Sequence, residues 1–298
     1  MSEALQHNAL LIVNPVSGKK LVIRYLPQIV RTLTDAGYLV TMLVTSRRGE
    51  ATELAACYGA RFDLVCCTGG DGTLNETVSG LAREGIHVPV GYIPCGSTND
   101  FAVSRGLPSE IPAAAEAIAS GRKRRFDVGR FSAGYFTYVA AFGAFSWLSY
   151  TTDQNLKNLL GHTAYILDGV KDLPKIRPQH IRMKADGRVY EGNFIFGAVC
   201  NSTSVAGTIE LPSEEVDTCD GIFEVLLIRY PTTLPELDAI VRGLLAQDYS
   251  SGNIEFFHAS RIEIENDPDV EWTTDGEAAE YRRLIEISPL PGFLELQG

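Results

Sequence analysis

Three short glycine loops, each set between an apolar run and a helical pattern, constrain this chain more than any other feature. "NPVSGKK" (14–20) follows "ALLIV", "TGGDGTLNE" (68–76) follows "FDLVCC", and "PCGSTNDFA" (94–102) follows "VPVGYI". Glycine reaches φ > 0 without steric cost and lets other groups approach its backbone closely. "LVIRYLPQIVRTLTDAG", "YLVTMLVT", "EATELAACYGA" and "NETVSGLARE" complete an alternation of strands and helices. Short strands alternating with helices imply a parallel sheet covered on both faces. The three loops then gather at the carboxyl ends of the strands, where such sheets bind ligands. Bare N–H groups, with the hydroxyls of Ser17, Thr73, Ser97 and Thr98, suit phosphate oxygens at helix N-termini. One loop alone reads equally well as a turn and helix cap. Three in register read as a phosphate-binding edge.

Near Arg125 the rhythm changes. "RFDVGRFSAGYFTYVAAF", "HIRMKADGRVYEGNFIFGAVCN", "GIFEVLLIRY", "FFHASRIEIEN" and "YRRLIEIS" are strand-like, with turn residues between them. Helical stretches at "TDQNLKNLLGHTAYILDGVKDL" and "TLPELDAIVRGLLAQ" interrupt them. The expected fold is α/β plus β-rich, a parallel-sheet N-terminal domain over 1–128 and an antiparallel sandwich or barrel-like domain over 129–287. With no long linker, the two pack around a cleft.

The 298 residues carry a net charge of −11, which excludes a general electrostatic trap for nucleic acid or anionic membrane. An anionic ligand must therefore be met by a local arrangement. The start "MSEALQHNALLIVNP" lacks the pattern of a signal peptide, and the apolar stretch around 139–148 is too short to span a bilayer. Six scattered cysteines without a CxxC pair read as free thiols of a reducing cytoplasm.

The P-loop signature is absent, and Asn75 stands where a dinucleotide fingerprint wants its third glycine. Kinase HRD and DFG signatures are missing too. Taken in order, "NPVSG", "GGDGTLNE", "GSTNDFA", "FDVGR", "SYTTDQNLKNLLGHTAYILDGVKDL", "DTCDGIFEV" and "TDGE" resemble the diacylglycerol kinase family, nearest its bacterial soluble branch. The resemblance covers almost the whole chain. GGDGT alone is shared with NAD kinases.

This resemblance implies ATP in the cleft of a nucleotide-binding domain and a β-rich lipid-substrate domain, with 288–298 returning to the first. Carried over by motif, Asn14, Pro15, Val16, Ser17 and Gly18 contact ATP, as do Gly69, Gly70, Asp71, Gly72, Thr73, Leu74, Asn75, Glu76 and Thr77. Thr98 stands beside them, and Thr45 is a less distinctive match in "VTSRRGE". Asp71 lies too close to a triphosphate to remain a free carboxylate, which points to Mg²⁺.

Glu277 follows Asp275 and Gly276 in a turn that reads by itself as a hairpin with a solvated tip. The resemblance makes it the general base instead. Asp127 follows a basic run and reads as an orienting group for water or metal, or as a surface partner of Arg124 or Arg130. Asp217 and Asp220 alone read as a turn before a strand. By resemblance they form a structural Mg²⁺ site with the Ile222 carbonyl, a reasonable all-oxygen donor set.

"GRKRRFD" (121–127) reads as a solvated strand edge or as a contact for acidic headgroups. Phe145, Trp147 and Tyr150 are core residues or the border of an acyl pocket. The expected activity is transfer of the γ-phosphate of Mg-ATP to a lipid hydroxyl, diacylglycerol first. Phosphatidylglycerol, a sphingoid base and NAD are the alternative acceptors, and a non-catalytic nucleotide sensor is the alternative class. The expected setting is the cytoplasm, with peripheral contact at the inner face of the membrane, no nucleic acid, and a homodimer as one oligomeric state.

Overall fold

The fold is seen in a computed structural model, which describes residues 7–18, 22–143, 178–205, 209–212, 214, 216–250, 252–280 and 282–298. The helix expected within 152–173, the aromatic candidates Phe145, Trp147 and Tyr150, and Lys19 and Lys20 lie outside these residues.

The N-terminal part follows the expected alternation. Strands β1 (His7–Val13), β2 (Tyr38–Val44), β3 (Leu64–Gly69) and β4 (Val90–Pro94) are joined through helices α1 (Val22–Asp35), α2 (Glu50–Tyr58) and α3 (Asp71–Arg83). Two helices follow β4, the short α4 (Asp100–Ser104) and α5 (Ile111–Ala119). The strands lie side by side in the order β4, β3, β1, β2, all parallel. Successive side chains of a strand point to opposite faces, and β1 buries both. Ala9, Leu11 and Val13 pack with Ile29 and Leu33 of α1 and Ala114, Ala115 and Ile118 of α5. Leu10 and Ile12 pack with Ala51 and Ala55 of α2 and Leu74, Val78 and Leu81 of α3. This two-sided burial explains the unbroken apolar runs.

The register decides where the loops go. Val13 lies opposite both Val44 and Thr68, and Gly69 opposite Pro94. The carboxyl ends of all four strands are therefore level, and the loops after them meet at one edge.

The remainder is β-rich and mainly antiparallel. It holds β5 (Lys123–Phe131), β6 (Gly134–Phe136), β7 (Val139–Gly143), β8 (Gln179–Ala185), β9 (Arg188–Cys200) and the small pair β10 (Ser204–Val205) and β11 (Ile209–Glu210). Then come β12 (Phe223–Arg229), β13 (Ile254–Ala259), β14 (Ile262–Glu265), β15 (Trp272–Thr274), β16 (Glu277–Ala278) and β17 (Leu284–Gln297). One helix, α6 (Leu234–Ala246), starts in a capping box between Thr233 and Glu236. Phe136, Phe142, Phe194, Phe223 and Trp272 anchor this part's own core.

Strand β17 joins the two parts. It runs antiparallel to β14 and β5, then pairs Leu296 in parallel with Val90 of β4. The basic run is not a free edge, because β5 pairs with β17 and Lys123 and Arg125 meet Glu295 at 3.0 and 3.3 Å.

Candidate active site

The level strand ends open into a cavity of about 660 Å³, within the range of small-molecule sites. The loop after β1 supplies Asn14 to Ser17, and the loop after β2 supplies Thr45 to Arg48. The start of α3 adds Gly70, Gly72, Thr73, Asn75 and Glu76, and Glu277 closes the cavity from the distant β15–β16 hairpin.

Close backbone contacts hold the loops together. Gly18 has φ +57°, and a Cβ there would stand 2.0 Å from the Cys95 carbonyl oxygen. At Gly96 a Cβ would stand 2.6 Å from the Cα of Gly70. Only glycine allows either approach. The side chains continue the linkage. Asn14 Nδ2 donates to Thr73 Oγ1 at 3.0 Å, and the Ser17 hydroxyl donates to the Cys95 carbonyl at 3.4 Å. Glu76 accepts the N–H groups of Gly49 and Ala51 at 2.8 and 3.2 Å, fixing the loop ahead of α2.

Helical geometry divides the run from 71 to 77. With 3.6 residues per turn, Gly72, Thr73, Asn75 and Glu76 face the cavity, whereas Leu74 and Thr77 are fully buried in the core. Gly18, Gly69, Asp71 and Thr98 do not line the cavity, and Thr98 is exposed beside it.

Glu277 arrives there through Asp275. Thr274 pairs with Glu277 across the two-residue turn Asp275–Gly276, whose φ values of +49° and +80° suit a type I′ hairpin. Asp275, however, is buried. Its carboxylate accepts N–H bonds from Thr137, Tyr138 and Val139 at 2.6, 3.0 and 3.1 Å. It also accepts the Thr137 hydroxyl at 2.8 Å and the Asn75 amide at 2.7 Å. Burial pushes its pKa up, and these hydrogen bonds oppose that. The Asn75 amide, also bonded to the Tyr135 carbonyl at 3.0 Å, thus ties α3 to the hairpin. Glu277 is left half-exposed, with Arg48 Nη2 donating to its Oε2 at 2.6 Å. A Cβ on Gly72 would lie 3.3 Å from its Oε1, so the helix start leaves room for the carboxylate.

Asp71 sits one step behind the cavity. Its oxygens accept the N–H groups of Asp100 and Phe101, the first of α4, at 2.9 and 3.1 Å. Burial raises its pKa against those bonds, and Asp100 and Asp275 add to the rise. The third glycine loop is thereby bolted to the second. Nothing in the sequence signals this pairing, and the same holds for Arg48 on Glu277.

Asp127 lies elsewhere, fully buried in β5. It accepts the Gly221 and Gly292 N–H groups, each at 2.6 Å. Gly221 belongs to the turn that carries Asp217, Asp220 and Ile222. There Asp217 Oδ1 accepts from the Cys219 N–H at 3.0 Å, and Asp220 Oδ1 accepts from the Ile222 N–H at 2.9 Å. Burial raises the Asp127 pKa, with Asp220 and Asp217 adding to it. A buried carboxylate with two more close by is a setting that suits a hard cation with oxygen ligands. Among the described residues, no group of three or more His, Cys, Asp or Glu side chains is placed to hold a metal ion.

Comparison with known proteins assigns both halves. The diacylglycerol kinase catalytic domain matches residues 8–131, and the YegS C-terminal NAD kinase beta sandwich-like domain matches residues 143–296. A diacylglycerol kinase of Bacillus subtilis is 32% identical over 272 residues, covering 90% of this chain and 89% of that protein. One from Staphylococcus saprophyticus is 32% identical over 276 residues, covering 92% and 90%. A crystal structure of a diacylglycerol kinase from Bacillus anthracis superposes with a TM-score of 0.74 at 26% identity, covering 97% and 96%.

Proposed function

Since this chain belongs to the diacylglycerol kinase catalytic domain family, it is an ATP-dependent lipid kinase, and we propose diacylglycerol as its acceptor and phosphatidic acid as its product. ATP occupies the cavity, its phosphates on the loops at Asn14–Ser17 and Gly70–Thr73, within residues 1–128. The acceptor hydroxyl approaches from the β-rich side, residues 129–287, and Glu277 draws its proton. The hydroxyl oxygen then bonds to the γ-phosphorus as the bond to the β-phosphate oxygen breaks, and ADP departs. A carboxylate within hydrogen-bond reach of the hydroxyl suits this step, which otherwise depends on positioning and charge neutralisation.

Mg²⁺ would neutralise the triphosphate in this reading, with Asp71 the residue that would hold it. Asp127 is instead buried away from the cavity lining and serves the Gly221 and Gly292 N–H groups. A second, structural Mg²⁺ fits Asp217, Asp220 and the Ile222 carbonyl. Diacylglycerol resides in a bilayer, so the protein meets it peripherally; among the described residues no helix is long and apolar enough to cross a membrane.

The observation that carries the reading is Glu277 entering the same cavity as the glycine loops from the far end of the chain. Labelled ATP, offered with diacylglycerol, phosphatidylglycerol, a sphingoid base or NAD, tests it. Diacylglycerol should be phosphorylated fastest, and Glu277→Gln should abolish transfer while keeping nucleotide affinity. Full turnover by that variant would remove Glu277 as base, and preference for another acceptor would replace diacylglycerol.

A further inference from the structure

Behind the third glycine loop lies a buried cation that the proposed chemistry does not use. Arg105 follows α4 directly and is only 7% exposed. Its guanidinium lies over the rings of Phe126 and Phe101, 4.6 and 5.4 Å from their centroids. One of its amino groups, Nη2, donates to the carbonyl of Asn201, just beyond β9. Asn201 adjoins Cys200, whose register partner on β12 is Glu224. Glu224 is 1% exposed.

Arg105 Nε, Glu224 Oε2 and Asn201 Oδ1 are each buried without a partner, and burial pushes the Glu224 carboxyl up to about 8. Buried polar atoms are almost always satisfied, by protein or by ordered water. The two groups influence each other electrostatically, yet they form no ion pair within 4.0 Å. Arg105 Nε is a donor, and a carboxyl group can accept from a water or, when protonated, donate to one, so a single water would satisfy both atoms in either state.

We propose that Arg105 is a positioning residue, bridged through one water to Glu224, that fastens the third glycine loop to the β-rich part. Its leverage is short. Arg105 ends the same five-residue helix whose first two N–H groups hold Asp71. Asp71 in turn opens α3, whose first turn lines the cavity. Freeing Arg105 therefore loosens the phosphate loops without touching the nucleotide. Conversely, the β-rich strands that face the acceptor gain a rigid connection to the nucleotide end.

The inference rests on ATP binding at the loops, so wild-type binding and turnover form the reference arm. Without them the proposed function fails, and the Arg105 question does not arise. Given that reference, Arg105→Met should raise the KM for ATP about tenfold and leave the KM for diacylglycerol within about twofold, because only the loop end is released. Arg105→Lys, which keeps the charge and one donor, should recover part of the loss. Glu224→Gln, which still bonds a water, should stay near wild type, whereas Glu224→Leu should resemble Arg105→Met. Combining Arg105→Met with Glu224→Leu should add little to either alone, as expected of two ends of one link. Should Arg105→Met fold poorly, Arg105→Lys and Glu224→Leu carry the same comparison. Unchanged ATP kinetics, equal loss of affinity for both substrates, or fully additive losses in the double variant would each overturn the link.

Discussion

At the residue scale, Asp275 holds the site together. It gathers three backbone N–H groups, a hydroxyl and an amide in a buried position, and an unpaired buried donor costs about 1–3 kcal/mol. Asp275→Ala should lower stability to urea by about 3 kcal/mol or more and displace Glu277, abolishing transfer. A variant within about 1 kcal/mol of wild type would show that the carboxylate is not the anchor. At Gly18 the constraint is steric. Gly18→Ala places a Cβ against the Cys95 carbonyl, so calorimetry should show nucleotide affinity falling about tenfold or more, by at least ~1.4 kcal/mol.

Asp186 offers a titration away from the cavity. Partial burial acts to raise its pKa, but N–H bonds from Ser260 and Arg261 and the Ser260 hydroxyl reverse this, leaving it below the ordinary 3.8. A carboxyl lowered on folding stabilises above its unfolded pKa, and that contribution is lost as pH falls through the folded value. Thermal melts from pH 5 down to pH 2 should therefore lose stability partly through Asp186. Asp186→Asn, which also tolerates φ +44°, should flatten that limb. An unchanged acid limb would exclude Asp186 as a contributor.

At the element scale the sequence was legible wherever a pattern is periodic. Strands β1, β3 and β4 read as apolar runs because both faces are buried, whereas the edge strand β2 is apolar yet leaves Leu39, Met42 and Val44 exposed. Helix α6 announces itself by Thr233 and Glu236. Replacing Thr233 with Ala should cost about 1 kcal/mol in thermal unfolding and leave kinase activity unaltered, since no α6 residue lines the cavity; an equal loss of activity would contradict this. Boundaries were less legible. The helical pattern becomes visible at Asn75, yet α3 begins at Asp71, because "DGT" has poor intrinsic helix propensity and its conformation is set by Gly70 and the neighbouring loop. The Glu277 hairpin was legible as Asp-Gly, and its tip is exposed at Gly276 and Glu277, but Asp275 is buried. Burial of Asp275 depends on amides from residues 137 to 139, which no local pattern reveals.

At the scale of the whole molecule, the pattern of thiol burial is a direct check. Cys57 and Cys219 are exposed, whereas Cys66, Cys67, Cys95 and Cys200 are buried. Burial pushes the Cys67 thiol up to about 12 and Cys95 to about 11. A thiol reagent at pH 8 should modify Cys57 and Cys219 in the native protein and all six cysteines after unfolding, counted by mass spectrometry. Rapid native labelling of Cys95 would contradict the close packing of the first and third loops.

What the sequence by itself determined is the chemistry at the strand ends. Glycine, hydroxyl and carboxylate positions follow from local backbone geometry and short-range spacing, and their order carries the family. Only the tertiary structure decided which of those groups share a cavity. Glu277 meets Gly72, Arg48 meets Glu277 and Asp71 meets α4 because sheet register and buried hydrogen bonds bring distant segments together. Such contacts are fixed by packing over the whole chain, and no window of sequence contains both partners.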